Sequence, residues 1–262
     1  MSSHWFFVPH KVHSPHLRLI CFPYAGGGVR TYLPWATQLP PGIELIAVQP
    51  PGRGSFMESP AYNNMPELVG ALLLQILPLL DRPYVLLGHS LGSRVAFELL
   101  YQLQQQKQRL PEMFIASGSN SPDTIRVKTP IYSLPEADFI AELQRLNGTP
   151  AEILANEELM AYLLPLLRAD FQIADTYSFT GTASFPCQLH VMGGGDDNDV
   201  PLSSLSHWGQ FFTKPAEVHT FAGGHFFIES HQNVVLALIK QLLQNWLSGA
   251  IQAHSHDKRV AV

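Results

Sequence analysis

Only two cysteines, Cys21 and Cys187, occur in 262 residues, which excludes a disulfide framework. They lie in apolar runs far apart in the chain, and the simpler reading is two small buried hydrophobes in a reducing compartment. Charge is also scarce: 14% of residues are Asp, Glu, Lys or Arg, and the acids outnumber the bases by 21 to 16. The bases are scattered, so no basic face is offered to nucleic acid. No apolar run approaches the length of a membrane span, which argues against a membrane partner. The opening "MSSHWFFVPHKVHSPH" has a short apolar core stopped by Pro9, too short for a secretory signal, so cytoplasm is the expected compartment. Histidine is plentiful. His10, His13 and His16 sit among prolines, however, and His254 and His256 in a polar tail. Neither group has the carboxylates or cysteines of a usual zinc spacing, so no metal is expected.

What the chain does have is apolar residues, 46% of the total, enough for one large α/β domain over 1–262. Apolar runs at Leu17–Phe22, Glu44–Val48, Tyr84–Leu87, Met113–Ser117, Gln188–Met192 and Glu217–Phe221 read as strands. Helical patterns separate most of them, at Thr31–Leu39, Met65–Leu80, Leu91–Gln106, Ser203–Phe212 and Glu229–Leu247. This alternation predicts a mainly parallel sheet with helices on both faces. Reactive groups in such sheets gather at the carboxyl ends of the strands. Between 120 and 185 the alternation stops, and two helical stretches replace it. "LPEADFIAELQRL" is amphipathic; "NEELMAYLLPLLRADFQIADTY" is more apolar, with Pro165 expected to kink or break it. A helical insertion of that length predicts a lid over the strand ends. Residues 249–262 read as a disordered tail.

The stretch "RPYVLLGHSLGSRVAFELL" places Ser90 between Gly88 and Gly92, where a strand gives way to an amphipathic helix. This is the G-x-S-x-G nucleophile elbow, in which the glycines let strand and helix approach and the serine hydroxyl stands above the sheet. The five-residue pattern alone occurs by chance in roughly one chain in ten of this size. Its setting is what raises its weight.

A serine needs a base, and the base needs an orienting acid, in the chain order serine, acid, histidine on this architecture. His225 follows Gly223 and Gly224 after a predicted strand. His219 lies within a strand pattern and His231 within the last helix. Asp196, Asp197 and Asp199 share the loop "GGGDDNDVP", and spacing does not separate them. For an oxyanion hole, one backbone N–H belongs to Leu91 and the other to the loop "CFPYAGGG". Pro23 cannot donate, which leaves Tyr24 or Ala25. No GxxxxGK run, and no G-x-G-x-x-G before a helix, supports a phosphate cradle instead.

Taken together, "ICFPYAGGG", "VQPPGRG", "LLGHSLGS" and "FAGGHFF" resemble the type II thioesterases, stand-alone α/β hydrolases that accompany non-ribosomal peptide and polyketide synthases. The insertion "SLPEADFIAELQRLNGTPAEILANEELMAYLLPLLRADF" is similar to that family's lid, and the likeness runs from about Leu17 to Trp246. The family pattern G-G-x-x-D-P-x-V, laid on Gly193–Val200, places the catalytic acid on Asp197, with Asn198 where proline is usual and Asp196 and Asp199 in reserve. The resemblance makes Ser90 the nucleophile and His225 the base. It implies an α/β-hydrolase fold and hydrolysis of acyl or aminoacyl thioesters from the phosphopantetheine arm of a carrier protein. It also implies a monomer and no cofactor of the enzyme's own. Arg53 and Arg168 are candidates to meet the carrier's acidic surface or the phosphate, against the plainer reading of structural arginines. A medium-chain acyl-carrier thioesterase or a small-molecule carboxylesterase would use the same triad, whereas a non-catalytic relative would lack one of its members.

Overall fold

The structure, a computed structural model, describes residues 4–125 and 129–260. Its centre is a seven-stranded sheet in the order β1-β3-β2-β4-β5-β6-β7. The strands are β1 (Phe6–Phe7), β2 (Leu17–Phe22), β3 (Ile43–Val48), β4 (Tyr84–His89), β5 (Met113–Ser117), β6 (Gln188–Gly194) and β7 (Glu217–Phe221). Only β1 runs antiparallel to its neighbour; the other pairs are parallel.

Parallel strands covered on both faces should read as unbroken apolar runs, and β4 is buried at every position. Its side chains alternate between two cores. Leu86 packs with Ile20, Phe114 and Val191 under α1 (Met65–Ile76) and α2 (Leu91–Gln105). Val85 and Leu87 pack on the other face with Tyr32, Trp35 and residues Val235, Ile239 and Leu243 of the C-terminal helix. Asn64 caps α1 by accepting from the Glu67 amide at 3.0 Å, which satisfies one of the free N–H groups of the first turn.

Between β5 and β6 lie α3 (Glu136–Leu146), α4 (Ala151–Leu154) and α5 (Glu157–Thr176), with a small core of their own around Phe139, Leu143, Met160, Leu164 and Leu167. Among the described residues no strand interrupts this insertion. Of the kink or break expected at Pro165, the break does not occur: α5 runs on through it. Its inward residues Met160, Leu164 and Leu167 hold the helix on both sides of the missing N–H. After β7 come α6 (Phe227–Ser230) and α7 (Gln232–Val260), so His231 falls at the break between two helices. Helix α7 continues past Gly249 through most of the stretch read as a tail.

The expected helices at Thr31–Leu39 and Ser203–Phe212 are 3-10 turns at Val29–Thr31, Leu33–Trp35 and Leu202–Phe211, the second with Pro34 within it and the third preceded by Pro201. The β1 strand was too short to show a period. Cys21 and Cys187 are buried free thiols; burial pushes Cys187 up to about 12 and Cys21 well above the ordinary range, which keeps both unreactive. No helix among the described residues is long and apolar enough to cross a membrane.

Candidate active site

Ser90 sits at the end of β4 with φ 55° and ψ −118°, a backbone region that costs a non-glycine residue about 1–3 kcal/mol. The surroundings impose it. The Ser90 amide donates to the Ser117 carbonyl at 2.7 Å, and Ser93 Oγ donates to the carbonyls of Gly88 and Ser117 at 2.7 and 3.1 Å. A Cβ on Gly88 would meet the Gly92 backbone at 2.3 Å, and one on Gly92 would meet the Phe22 carbonyl at 2.2 Å. Neither glycine can be replaced without parting β2, β4 and α2.

The loop after β7 brings His225 Nε2 to 2.9 Å from Ser90 Oγ. The loop after β6 brings Asp197 Oδ2 to 2.7 Å from His225 Nδ1. Asp197 is itself held: its Oδ1 accepts from the amides of Asp199 and Val200 at 2.9 and 3.1 Å. Its two neighbours do neither task. Asp196 is exposed, and Asp199 reaches Arg145 of α3 at 3.3 Å. The three side chains that meet therefore come from three strand ends, where the alternation of strands and helices placed them.

Behind His225 stands His89, fully buried, its ring centroid 5.4 Å from that of His225 and its Nδ1 2.9 Å from Ser117 Oγ. Burial, then repulsion from His225, pushes its pKa well below the ordinary 6.5. His89 thus stays neutral and adds no positive charge against an imidazolium at 225. The linkage has a definite sign. Below pH 6.5 the unfolded chain takes up a proton that the folded chain refuses, so stability is lost as the pH falls. Chemical denaturation at pH 7.0, 6.0 and 5.0 should show that decline, and His89→Gln should make it shallower.

The loop after β2 is pinned by the insertion. Asp170 of α5 accepts from the Gly26 amide at 2.7 Å and forms a two-pronged ion pair with Arg53 at 2.7 and 2.8 Å; Arg53 also donates to the Gly27 carbonyl at 2.8 Å. Both charged side chains are buried, so Arg53 is spent on structure. Arg168 is too: it donates to the Tyr132 carbonyl at 2.6 Å and lies over the Phe139 ring. The Gly26 amide is engaged by Asp170 and the Gly27 amide by the Tyr24 carbonyl, and Tyr24 and Ala25 of the same loop line the cavity with Ser90. The Tyr24 hydroxyl donates to Glu229 at 2.6 Å, and burial, then that carboxylate, raises its pKa.

Tyr24, Ala25, Ser90, Leu91 and His225 line one side of a cavity of about 270 Å³; Leu143, Leu146, Leu167 and Phe171 of the insertion line the other. It lies at the small end of ligand pockets, mostly apolar with a few convergent polar groups. Sequence reasoning did not find Asp170, Glu229 or His89. Their partners lie at least 100 residues away or across the sheet, and no local pattern marks them.

The thioesterase domain model matches residues 17–243. Over 250 residues the chain is 35% identical to a Brevibacillus parabrevis protein called linear gramicidin dehydrogenase LgrE, covering 94% of this chain and 95% of that one. It is 35% identical over 239 residues to the gramicidin S biosynthesis protein GrsT of Aneurinibacillus migulanus, covering 91% and 93%. Among solved structures, the type II thioesterase BorB from the borrelidin biosynthetic cluster superposes with a TM-score of 0.83 at 31% identity, covering 92% of this chain and 98% of BorB.

Proposed function

The chain belongs to the thioesterase domain family, and on that premise we propose that it hydrolyses acyl and aminoacyl thioesters held on the phosphopantetheine arm of carrier proteins. Its role is to clear stalled or wrong acyl groups from a non-ribosomal peptide or polyketide synthase. The observation that carries the chemistry is the 2.9 Å contact between Ser90 Oγ and His225 Nε2, with Asp197 2.7 Å from the other ring nitrogen. Support for the substrate comes from BorB, a type II thioesterase, and GrsT, a protein of gramicidin S biosynthesis. An oxidoreductase reading, prompted by the name of the Brevibacillus relative, lacks a G-x-G-x-x-G run between a strand and a helix.

Ser90 attacks the thioester carbonyl while His225 takes its proton, and Asp197 holds the imidazole in the tautomer that can accept it. The negative oxygen of the tetrahedral intermediate meets the Leu91 amide and that of Tyr24 or Ala25. The carbon–sulfur bond breaks, and His225 returns the proton to the leaving thiol. Water repeats the attack on the acyl-serine. A thiol leaves readily, so the general acid has a lighter task than in amide cleavage. The parts need no metal and no cofactor of the enzyme's own. The insertion acts as a lid whose apolar faces shelter the acyl group while the carrier docks outside. We place the enzyme in the cytoplasm as a monomer.

Asp170 serves as a positioning residue, because it fixes the loop that supplies the second oxyanion donor. Asp170→Asn should cost about 3 kcal/mol of stability by leaving the buried Arg53 guanidinium unpaired. Assayed well below its melting temperature, the variant should show kcat lowered about tenfold with a smaller change in KM, because the donor matters most in the transition state. Unchanged kcat would confine Asp170 to a structural role.

The substrate assignment is tested by a hydrolysis panel of acyl-carrier proteins, acyl-coenzyme A and simple esters, with acyl chains of increasing length. Carrier-bound short acyl groups should be turned over best. Preference for simple esters would favour a carboxylesterase, and preference for longer chains a medium-chain acyl-carrier thioesterase.

A further inference from the structure

Away from the triad, β6 and β7 bring His190, Glu217 and His219 together at the edge of the sheet. The parallel register sets His190 beside Glu217, and residues two apart on a strand share a face, so His219 joins them. His190 Nδ1 lies 3.1 Å from His219 Nε2 and 3.6 Å from Glu217 Oε2. The ligand atoms of all three lie within 4.8 Å of one another. A tetrahedral zinc ion with bonds of about 2.0–2.1 Å holds its ligand atoms about 3.3 Å apart. The two measured separations fall on either side of that value.

The surroundings favour metal binding as well. His190 turns Nδ1 and His219 turns Nε2 toward each other, and an imidazole nitrogen is the commonest ligand atom for such an ion. His190 is buried, whereas the Glu217 side chain is 56% exposed, which leaves a path for an ion and room for a water as fourth ligand. Two imidazoles and one carboxylate suit zinc and its first-row neighbours better than calcium or magnesium.

We propose that His190, His219 and Glu217 form a binding site for one divalent transition-metal ion of the zinc class, separate from the hydrolytic centre. The three ligands lie within the strands, whereas Ser90, Asp197 and His225 follow the strand ends. The ion ties the edge strand β7, which leads into the loop of His225, to β6. The pattern is invisible along the chain, because His190 and His219 become neighbours only through strand pairing.

The test is calorimetric titration of the full chain with Zn2+, paired with melting temperatures with and without the ion and with the absorption spectrum of the Co2+ form. His219→Gln and Glu217→Gln are the variants, since neither side chain is fully buried. The wild type should bind one ion that these variants weaken by more than about tenfold. Its melting temperature should rise by about 5 °C at a hundredfold excess over Kd, and by less in the variants. Its Co2+ spectrum should be that of a tetrahedral N,N,O site. Absence of binding, or binding unchanged in both variants and so due to other histidines, would overturn the proposal and leave an imidazole–imidazole hydrogen bond as the explanation of the 3.1 Å contact.

Discussion

Ser90→Ala should lower kcat for release of an acetyl or aminoacyl group from a loaded carrier protein by roughly 10⁴–10⁶-fold. The size of the loss follows from the geometry. Ser90 Oγ is the only hydroxyl placed against His225 Nε2 by the described contacts, at 2.9 Å, and water in its place would have to be both bound and aligned. Folding should survive. The unusual backbone at 90 is held by the Ser90 amide on the Ser117 carbonyl and by Ser93 on Gly88, and neither contact uses the Ser90 side chain. Circular dichroism and melting temperature should therefore match the parent while single-turnover kinetics with labelled acyl-carrier show the loss. Turnover retained in a folded Ser90→Ala protein would remove the mechanism.

The second large effect is expected at Asp197. Asn at 197 keeps the volume and a hydrogen bond to His225 Nδ1, but an amide can donate there, which stabilises the wrong tautomer and withdraws the charge that steadies the imidazolium. Loss of such an orienting carboxylate costs about 10⁴-fold in amide and ester cleavage, and a thioester, with its better leaving group, should lose somewhat less. The neighbours supply the control. Asp196→Asn changes an exposed side chain, and Asp199→Asn weakens a partly exposed pair with Arg145; each should change kcat/KM by less than about threefold. Comparable mild losses at all three would show that Asp197 is not the acid. The contrast within one loop is more informative than any single loss.

Much of this was legible along the chain because strands buried on both faces leave continuous apolar runs. Leu17–Phe22 and Met113–Ser117 agree with the structure to the residue, and so does the edge strand Glu217–Phe221, although only Phe221 of it is buried. The elbow was legible for a different reason. Gly88 and Gly92 mark a backbone approach that no side chain tolerates, and such marks survive in one dimension. Choosing among Asp196, Asp197 and Asp199 was not possible from spacing, since the selection is made by which carboxylate the loop turns inward, a matter of two backbone hydrogen bonds from Asp199 and Val200. The Arg53–Asp170 pair was out of reach for a similar reason. Both residue types usually sit in solvent, and only the packing of α5 over the loop after β2 takes them out of it. Pro165 is the converse case. A local rule predicted a kink or a break, and tertiary contacts on either side keep the helix unbroken.

The most direct test of the central claim is labelling of the protein with a fluorophosphonate, which reacts only with a serine activated by a neighbouring base, followed by peptide mass spectrometry with and without acyl-carrier protein as competitor. The account predicts a single adduct on the peptide bearing Ser90, slowed by the acyl-carrier and absent from His225→Ala. An adduct on another residue, or an unlabelled Ser90 in a preparation that still releases acyl groups, would contradict it.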